Sequence, residues 1–229
     1  MKYIYHHLGL GDHFICNGLV RYLYDLNENT ELQLFCKSRF KNNIEFMYRN
    51  LTNLNILHLP NDEDVLRYIQ ENNLQKNTIV IGFDNIRCRN FESNTFDQQF
   101  YESQNVPFHH RFSDFFILRD KLREQKLFDD IIKTDRYIFV HDDSSRGMNI
   151  DESRINNTLP IIRNDNKNLI TDYLTILENA EEIHVMQSCF KDMINSYKMP
   201  KPKLFLHNYV RNYDAYANTK GLNHFEVVY

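Results

Sequence analysis

The stretch His7-Leu8-Gly9-Leu10-Gly11-Asp12-His13 lies between the first apolar run of the chain, Lys2 to His6, and a segment in which Phe14, Leu19, Leu23 and Leu26 recur at helical spacing. That order reads as buried strand, glycine turn and helix. Two glycines so close together permit positive φ and a close approach of another molecule to the backbone. The helix that follows presents unpaired N–H groups and the positive end of its dipole. An anion or polar ligand fits such a turn, and Asp12 at its mouth is the first carboxylate to consider for proton chemistry. A tight strand-to-helix turn with Asp12 as N-cap is the structural alternative, and the stretch alone leaves both open.

Outward from this turn the same unit recurs. Asn27-Glu28-Asn29 ends the first helix, and Glu31 to Cys36 reads as a second strand. A helix over Asn42 to Leu51, a strand over Asn55 to Leu59, a helix over Asp62 to Asn72 and a strand over Thr78 to Phe83 follow. Strands alternating with helices across short polar turns indicate a parallel sheet covered on both faces. From Asp84 to Lys133 there is no strand pattern. Phe96, Phe100, Tyr101, Phe108, Phe112, Phe115 and Phe116 cluster there in a stretch read as helical, and their main role is expected to be packing.

Alternation resumes with strands over Tyr137 to His141, Glu182 to Met186 and Lys203 to His207, and an edge strand within Asn157 to Arg163 where Pro160 stands. Helices are expected over Asn168 to Asn179 and Phe190 to Tyr197, and the apolar ending Phe225 to Tyr229 suggests a last strand. The expected fold is α/β: two Rossmann-like strand-helix halves with a helical aromatic insert between them. The N-terminal half would span 1–133, with the insert at 84–133, and the C-terminal half 134–229.

The chain has 229 residues, long enough to bury a real core, with 42% hydrophobic, 25% charged and 14% aromatic residues. A net charge of −4 argues against a protein that grips nucleic acid by bulk electrostatics. Cys16, Cys36, Cys88 and Cys189 show no paired spacing and are read as reduced thiols. No run approaches the roughly 18 apolar residues of a membrane span, and MKYIYHH lacks the apolar core of a signal peptide, so a cytoplasmic protein is expected.

In open parallel sheets ligands bind outside the carboxyl ends of the strands, which singles out three loops. These are the Gly9–Asp12 turn, Asp142 to Gly147, and Gln187-Ser188-Cys189 at the start of a helix. Arg146 offers a fixed positive fork for a phosphate, and Ser144, Ser145 and Ser188 offer hydroxyls beside backbone N–H groups, the parts of a diphosphate site. The plainer readings are an N-cap for Ser188 and a surface ion pair of Arg146 with Asp142, Asp143 or Asp151. His6 and His7, adjacent on a strand, point to opposite faces and do not readily share an ion, so no metal site is expected. His141, His184 and His207 are read as strand-end imidazoles satisfied by backbone partners, with donor contact by His141 or His207 as the functional alternative. Cys189 is read as a buried thiol rather than a nucleophile.

The first strand, the Gly-Leu-Gly-Asp turn and the following helix resemble the start of the heptosyltransferase-like glycosyltransferases, family nine and its relatives in the GT-B class, which open with a Gly-x-Gly-Asp turn. Ala180 to Tyr197, AEEIHVMQSCFKDMINSY, resembles that class's late strand-turn-helix, where a small or hydroxyl residue lies under the donor's phosphates. The family's His-Leu-Ala pattern after that turn is replaced here by Phe190-Lys191-Asp192. The resemblance implies that Asp12 is the base that takes the acceptor's proton. Gly9, Gly11, Ser144, Ser145, Arg146, Gln187 and Ser188 would hold the nucleotide-sugar. It also implies inverting transfer to a glycan or other hydroxyl acceptor with neither cofactor nor essential metal. Two other readings stay open: a non-catalytic nucleotide- or glycan-binding module, and a phosphate-handling hydrolase using Asp12 or the Asp142-Asp143 pair.

Overall fold

A computed structural model describes residues 1–82, 96–143, 146–156, 158–165, 167–210 and 221–229. The chain forms two compact units, Met1–Leu118 and Arg119–Tyr229. In the first, β1 (Lys2–Tyr5) leads through the glycine turn into α1 (Leu10–Ile15) and α2 (Asn17–Asp25), followed by β2 (Leu32–Lys37), α3 (Lys41–Tyr48) and β3 (Leu54–Leu59). Then come α4 (Asp62–Glu71), β4 (Thr78–Val80), α5 (Phe96–Glu102) and α6 (His110–Ser113). The strands form a parallel sheet of order β3-β2-β1-β4. Central strands covered by helices on both faces must be apolar on both, and Leu34, Phe35 and Cys36 of β2 are all buried. On one face Tyr5, Leu8, Phe35, Val65 and Ile69 make the core.

The single helix expected after the turn is two helices, broken at Cys16, whose φ and ψ are −84° and 0°. A break exposes backbone groups that must find partners. The Tyr101 hydroxyl enters it, donating to Ile15 O at 2.8 Å and accepting from Leu19 N at 3.2 Å. Tyr101 and Phe100 are fully buried, whereas Phe116 is about half exposed, so the aromatic insert serves packing at some positions only. Its helices are joined by an ion pair between Asp97 and Arg111, both without solvent exposure.

Gly18 lets α2 lie against α6. A Cβ there would stand 2.1 Å from the carbonyl oxygen of His110 and 3.2 Å from Arg111 Cα. Helix propensity alone favours alanine over glycine by about 1 kcal/mol. The clash is with backbone, which has no rotamer to escape into, so overpacking of about 1–3 kcal/mol should win. Gly18→Ala is therefore expected to be less stable in chemical denaturation. A variant as stable as the parent would show that α6 can retreat freely.

The second unit begins with α7 (Lys121–Ile131) and continues through β5 (Ile138–Val140), β6 (Ile161–Arg163), α8 (Leu174–Asn179), β7 (Glu182–Val185), α9 (Cys189–Ser196), β8 (Lys203–His207) and β9 (Glu226–Val228). Its parallel sheet has the order β6-β5-β7-β8-β9, so the Pro160-bounded strand is indeed an edge and the apolar ending does add a last strand. Ile138, Val140, Ile150, Ile155 and Met186 form a core cluster.

The division falls between Leu118 and Arg119, not near Thr134. The reason is a long-range ion network. Arg119 forks between Glu124, 2.8 Å from its Nε, and Glu178, 2.5 Å from its Nη1, while Arg123 reaches the buried Asp172 at 2.6 Å. Thr175 donates to the same Glu124. These bonds attach α7 to α8 and to the turn before it, so the helix leaves the insert and joins the second sheet.

Candidate active site

Both sheets reverse strand order once, and the reversal opens a crevice at the carboxyl edge. In the first unit it lies between β1 and β4. Gly9 is the N-cap of α1 with φ −71° and ψ 147°, Gly11 lies within that helix, and Asp12 occupies its third position. Positive φ, expected from this pair of glycines, is used at neither. Among the described glycines it occurs at Gly82 and Gly147. Gly9 serves another purpose: a Cβ there would stand 2.5 Å from Asp12 Oδ2. The Asp12 carboxylate folds back over the glycine and fills the room that the sequence reading left for a ligand. Asp12 is thus not the N-cap, and its position depends on a bare backbone at residue 9.

The histidines beside the turn are held neutral. Burial pushes His6 and His7 down to about 4; the His7 O contact partly offsets this for His6 and Asp62 for His7. Burial also carries His13 well below its ordinary value. His6 and His13 meet edge to face with ring centroids 4.3 Å apart. Gly82, at φ +79° just beyond β4, closes the other side, where a Cβ would collide with Phe100 at 2.7 Å and His7 at 2.9 Å. The glycine ending the TIVI run was the available signal for this contact.

In the second unit the reversal lies between β5 and β7, which places the Asp142 loop and the Gln187-Ser188 turn on one edge. His141 ties them: its backbone N–H donates to His184 O at 2.9 Å, and its ring lies on Phe190 of α9 with centroids 4.4 Å apart. Its Nδ1 contacts Asn164 Oδ1 at 2.9 Å, and burial holds the imidazole below its usual range. The partner of the His141 imidazole is therefore the Asn164 side chain and not the backbone expected of it.

Asp142 is occupied, accepting from Ile150 N at 2.8 Å and from Arg163 Nε at 2.8 Å. Arg163 also reaches Glu152 at 2.5 Å. The loop then returns through a bridge between Asp143 and Met148, with Gly147 at φ +65°. Arg146 is exposed and pairs with Asp143 at 3.6 Å, a contact too long and too wet to hold it firmly. Gln187 is buried. Ser188 is the N-cap of α9 by position but makes no capping bond, and its buried Oγ has no hydrogen-bond partner among the described residues. Burial pushes the Cys189 thiol up to about 12, which removes it as a nucleophile. Ser144 and Ser145 lie outside the described residues.

The structure therefore gathers Gly9, Gly11 and Asp12 at the edge of one sheet, and Arg146, Gln187 and Ser188 at the edge of the other. No family model matches the chain, and no curated protein matches it in sequence. Solved structures do match in three dimensions. A glycosyl transferase of family 9 from Veillonella parvula DSM 2008 aligns with a TM-score of 0.57 at 8% identity, over 90% of this chain and 80% of that one. The ADP-heptose LPS heptosyltransferase II of E. coli aligns with a TM-score of 0.53 at 8% identity, over 100% of this chain and 90% of that one. This is a heptosyltransferase-like fold. At such low identity the likeness speaks for the α/β architecture alone, and chemistry has to be argued from the residues. Among the described residues no helix is long and apolar enough to cross a membrane.

Proposed function

We propose that the chain is a glycosyltransferase that moves a sugar from a nucleotide-sugar donor to a hydroxyl acceptor. The observation that carries the reading is the carboxylate of Asp12, set over Gly9 at the strand reversal of a sheet whose fold is shared with glycosyltransferases. Asp12 takes the proton of the attacking hydroxyl as general base. Arg146, Ser188 and the N-terminus of α9, together with Ser144, Ser145 and Gln187, bind the donor's diphosphate and stabilise it as it leaves. A single displacement with Asp12 as base and no covalent intermediate inverts the reacting carbon. Neutralisation by Arg146 and the helix replaces a cation, so transfer proceeds without an essential metal. Free thiols at Cys16, Cys36 and Cys189 suit a cytoplasmic enzyme.

The test is turnover by the purified chain over a panel of nucleotide sugars and hydroxyl acceptors, with and without a chelator. Donor binding without transfer or hydrolysis across the panel would favour a binding module instead. Metal-dependent phosphate release would favour a hydrolase.

Ser188→Ala separates the two roles of that residue. An N-cap serine normally stabilises by about 1 kcal/mol, but this hydroxyl makes no capping bond, so the thermal midpoint should not move. A lost hydrogen bond to a charged phosphate is worth about 1.5–3 kcal/mol, so donor affinity should fall at least about tenfold. A lower midpoint with unchanged affinity would return Ser188 to a capping role.

A further inference from the structure

His184 and His207 are both buried on neighbouring strands, and their partners are side chains rather than the backbone expected for strand-end imidazoles. His184 Nε2 lies 3.3 Å from Glu182 Oε2, and His184 Nδ1 lies 2.8 Å from His207 Nε2. His207 Nδ1 lies 3.1 Å from the Tyr209 hydroxyl, which accepts from Asp151 N at 2.9 Å. The carboxylate end decides the direction of every bond along the row. A carboxylate only accepts, so His184 carries its proton on Nε2 and leaves Nδ1 bare; His207 must then donate from Nε2 and leave its own Nδ1 bare. The Tyr209 hydroxyl donates to that bare Nδ1, and its oxygen keeps a lone pair for the Asp151 amide. The contact with Asp151 is compatible with these tautomers.

We propose that Tyr209, His207, His184 and Glu182 form a polarised proton relay. It runs from the carboxyl edge of the second sheet, where ligands of such sheets bind, to a carboxylate at the opposite edge. Hydronium from the solvent at the carboxyl edge gives a proton to the Tyr209 oxygen and leaves as water, while the hydroxyl's own proton passes to His207 Nδ1. The His207 Nε2 proton passes to His184 Nδ1, and the His184 Nε2 proton passes to Glu182, which becomes a carboxylic acid. Each O–H or N–H bond breaks as the next forms, and both imidazoles end neutral with their tautomers reversed. Burial holds both rings below the ordinary histidine range, so they are neutral at pH 7, as a relay requires. Arg154, 4.2 Å above the Tyr209 ring, keeps a positive charge at the entrance. The relay stands on the second unit alone and does not depend on Asp12 or on glycosyl transfer.

The test is long-range ¹H–¹⁵N correlation of the histidine rings in the whole chain at pH 7. Both rings of the parent should be protonated at Nε2 only. Tyr209→Phe leaves the carboxylate in place and should keep that state, whereas Glu182→Gln, whose amide can accept or donate, should shift the rings to a mixture of tautomers. Exchange of the ring N–H protons with water should slow in Tyr209→Phe, because one exit is closed. A proton on Nδ1 of either ring in the parent, a Glu182→Gln variant with tautomers identical to it, or unchanged exchange in Tyr209→Phe would overturn the relay.

Discussion

Asp12→Asn is expected to lower kcat by about 10²–10⁴-fold while the fold and donor affinity stay as they are. The substitution keeps the shape of the side chain and removes only its capacity to take a proton. Asparagine fits wherever the carboxylate fits, including the position over Gly9 where a Cβ would stand 2.5 Å from Asp12 Oδ2. The imidazoles of His6, His7 and His13 are neutral at pH 7, so none supplies a positive charge that would weaken the carboxylate as a base. Gly9→Ala gives an independent check. Its methyl would displace the carboxylate, so kcat should fall as it does for Asp12→Asn. Steady-state kinetics with circular dichroism decides the matter, and full turnover by Asp12→Asn would remove this residue from the mechanism.

Stability is expected to be level above about pH 6.5 and to fall steeply between pH 6.5 and 4. The histidines drive this. His6 and His7 have folded values near 4 against an unfolded 6.5, so in this window the unfolded chain binds protons that the folded chain refuses. The stabilisation is complete above the unfolded value and is lost as pH falls toward the folded one. Each such group contributes about 1.4 kcal/mol per pH unit, or roughly 3 kcal/mol across the window for the fully buried His6. His13 adds to the slope in the same direction, since neither of its ring nitrogens has a partner among the described residues and a charge there would be uncompensated. Such losses are large beside a typical net stability of about 5–15 kcal/mol. Glu124 adds a second, more acid limb. Its burial raises its value, but hydrogen bonds from Arg119 and Thr175 outweigh that and hold it below the ordinary range, so its contribution is lost as pH falls through the folded value. Urea denaturation at a series of pH values reads the profile. A flat curve from pH 7 to 4 would mean that these imidazoles are reached by water in the folded chain.

By itself the sequence determined the alternation of strands and helices, because apolar periodicity records which residues of a single element face a core. It also marked the carboxyl-edge loops and placed Ser188 at a helix start, since glycine, serine and aspartate at element ends have local reasons to be there. What it left to the tertiary structure are features created by residues far apart in the chain. The break at Cys16 exists beside a hydroxyl from Tyr101, and the unit boundary moved because Arg119 finds Glu178. Gly9 reads as freedom for the backbone, yet its role is to leave space for a side chain three positions on. His184 and His207 look like separate strand histidines until the pairing of β7 with β8 sets their rings 2.8 Å apart, nitrogen to nitrogen. Spacing along a chain records local preference; the direction of a proton chain and the neutrality of a buried imidazole come from which groups the fold removes from water together.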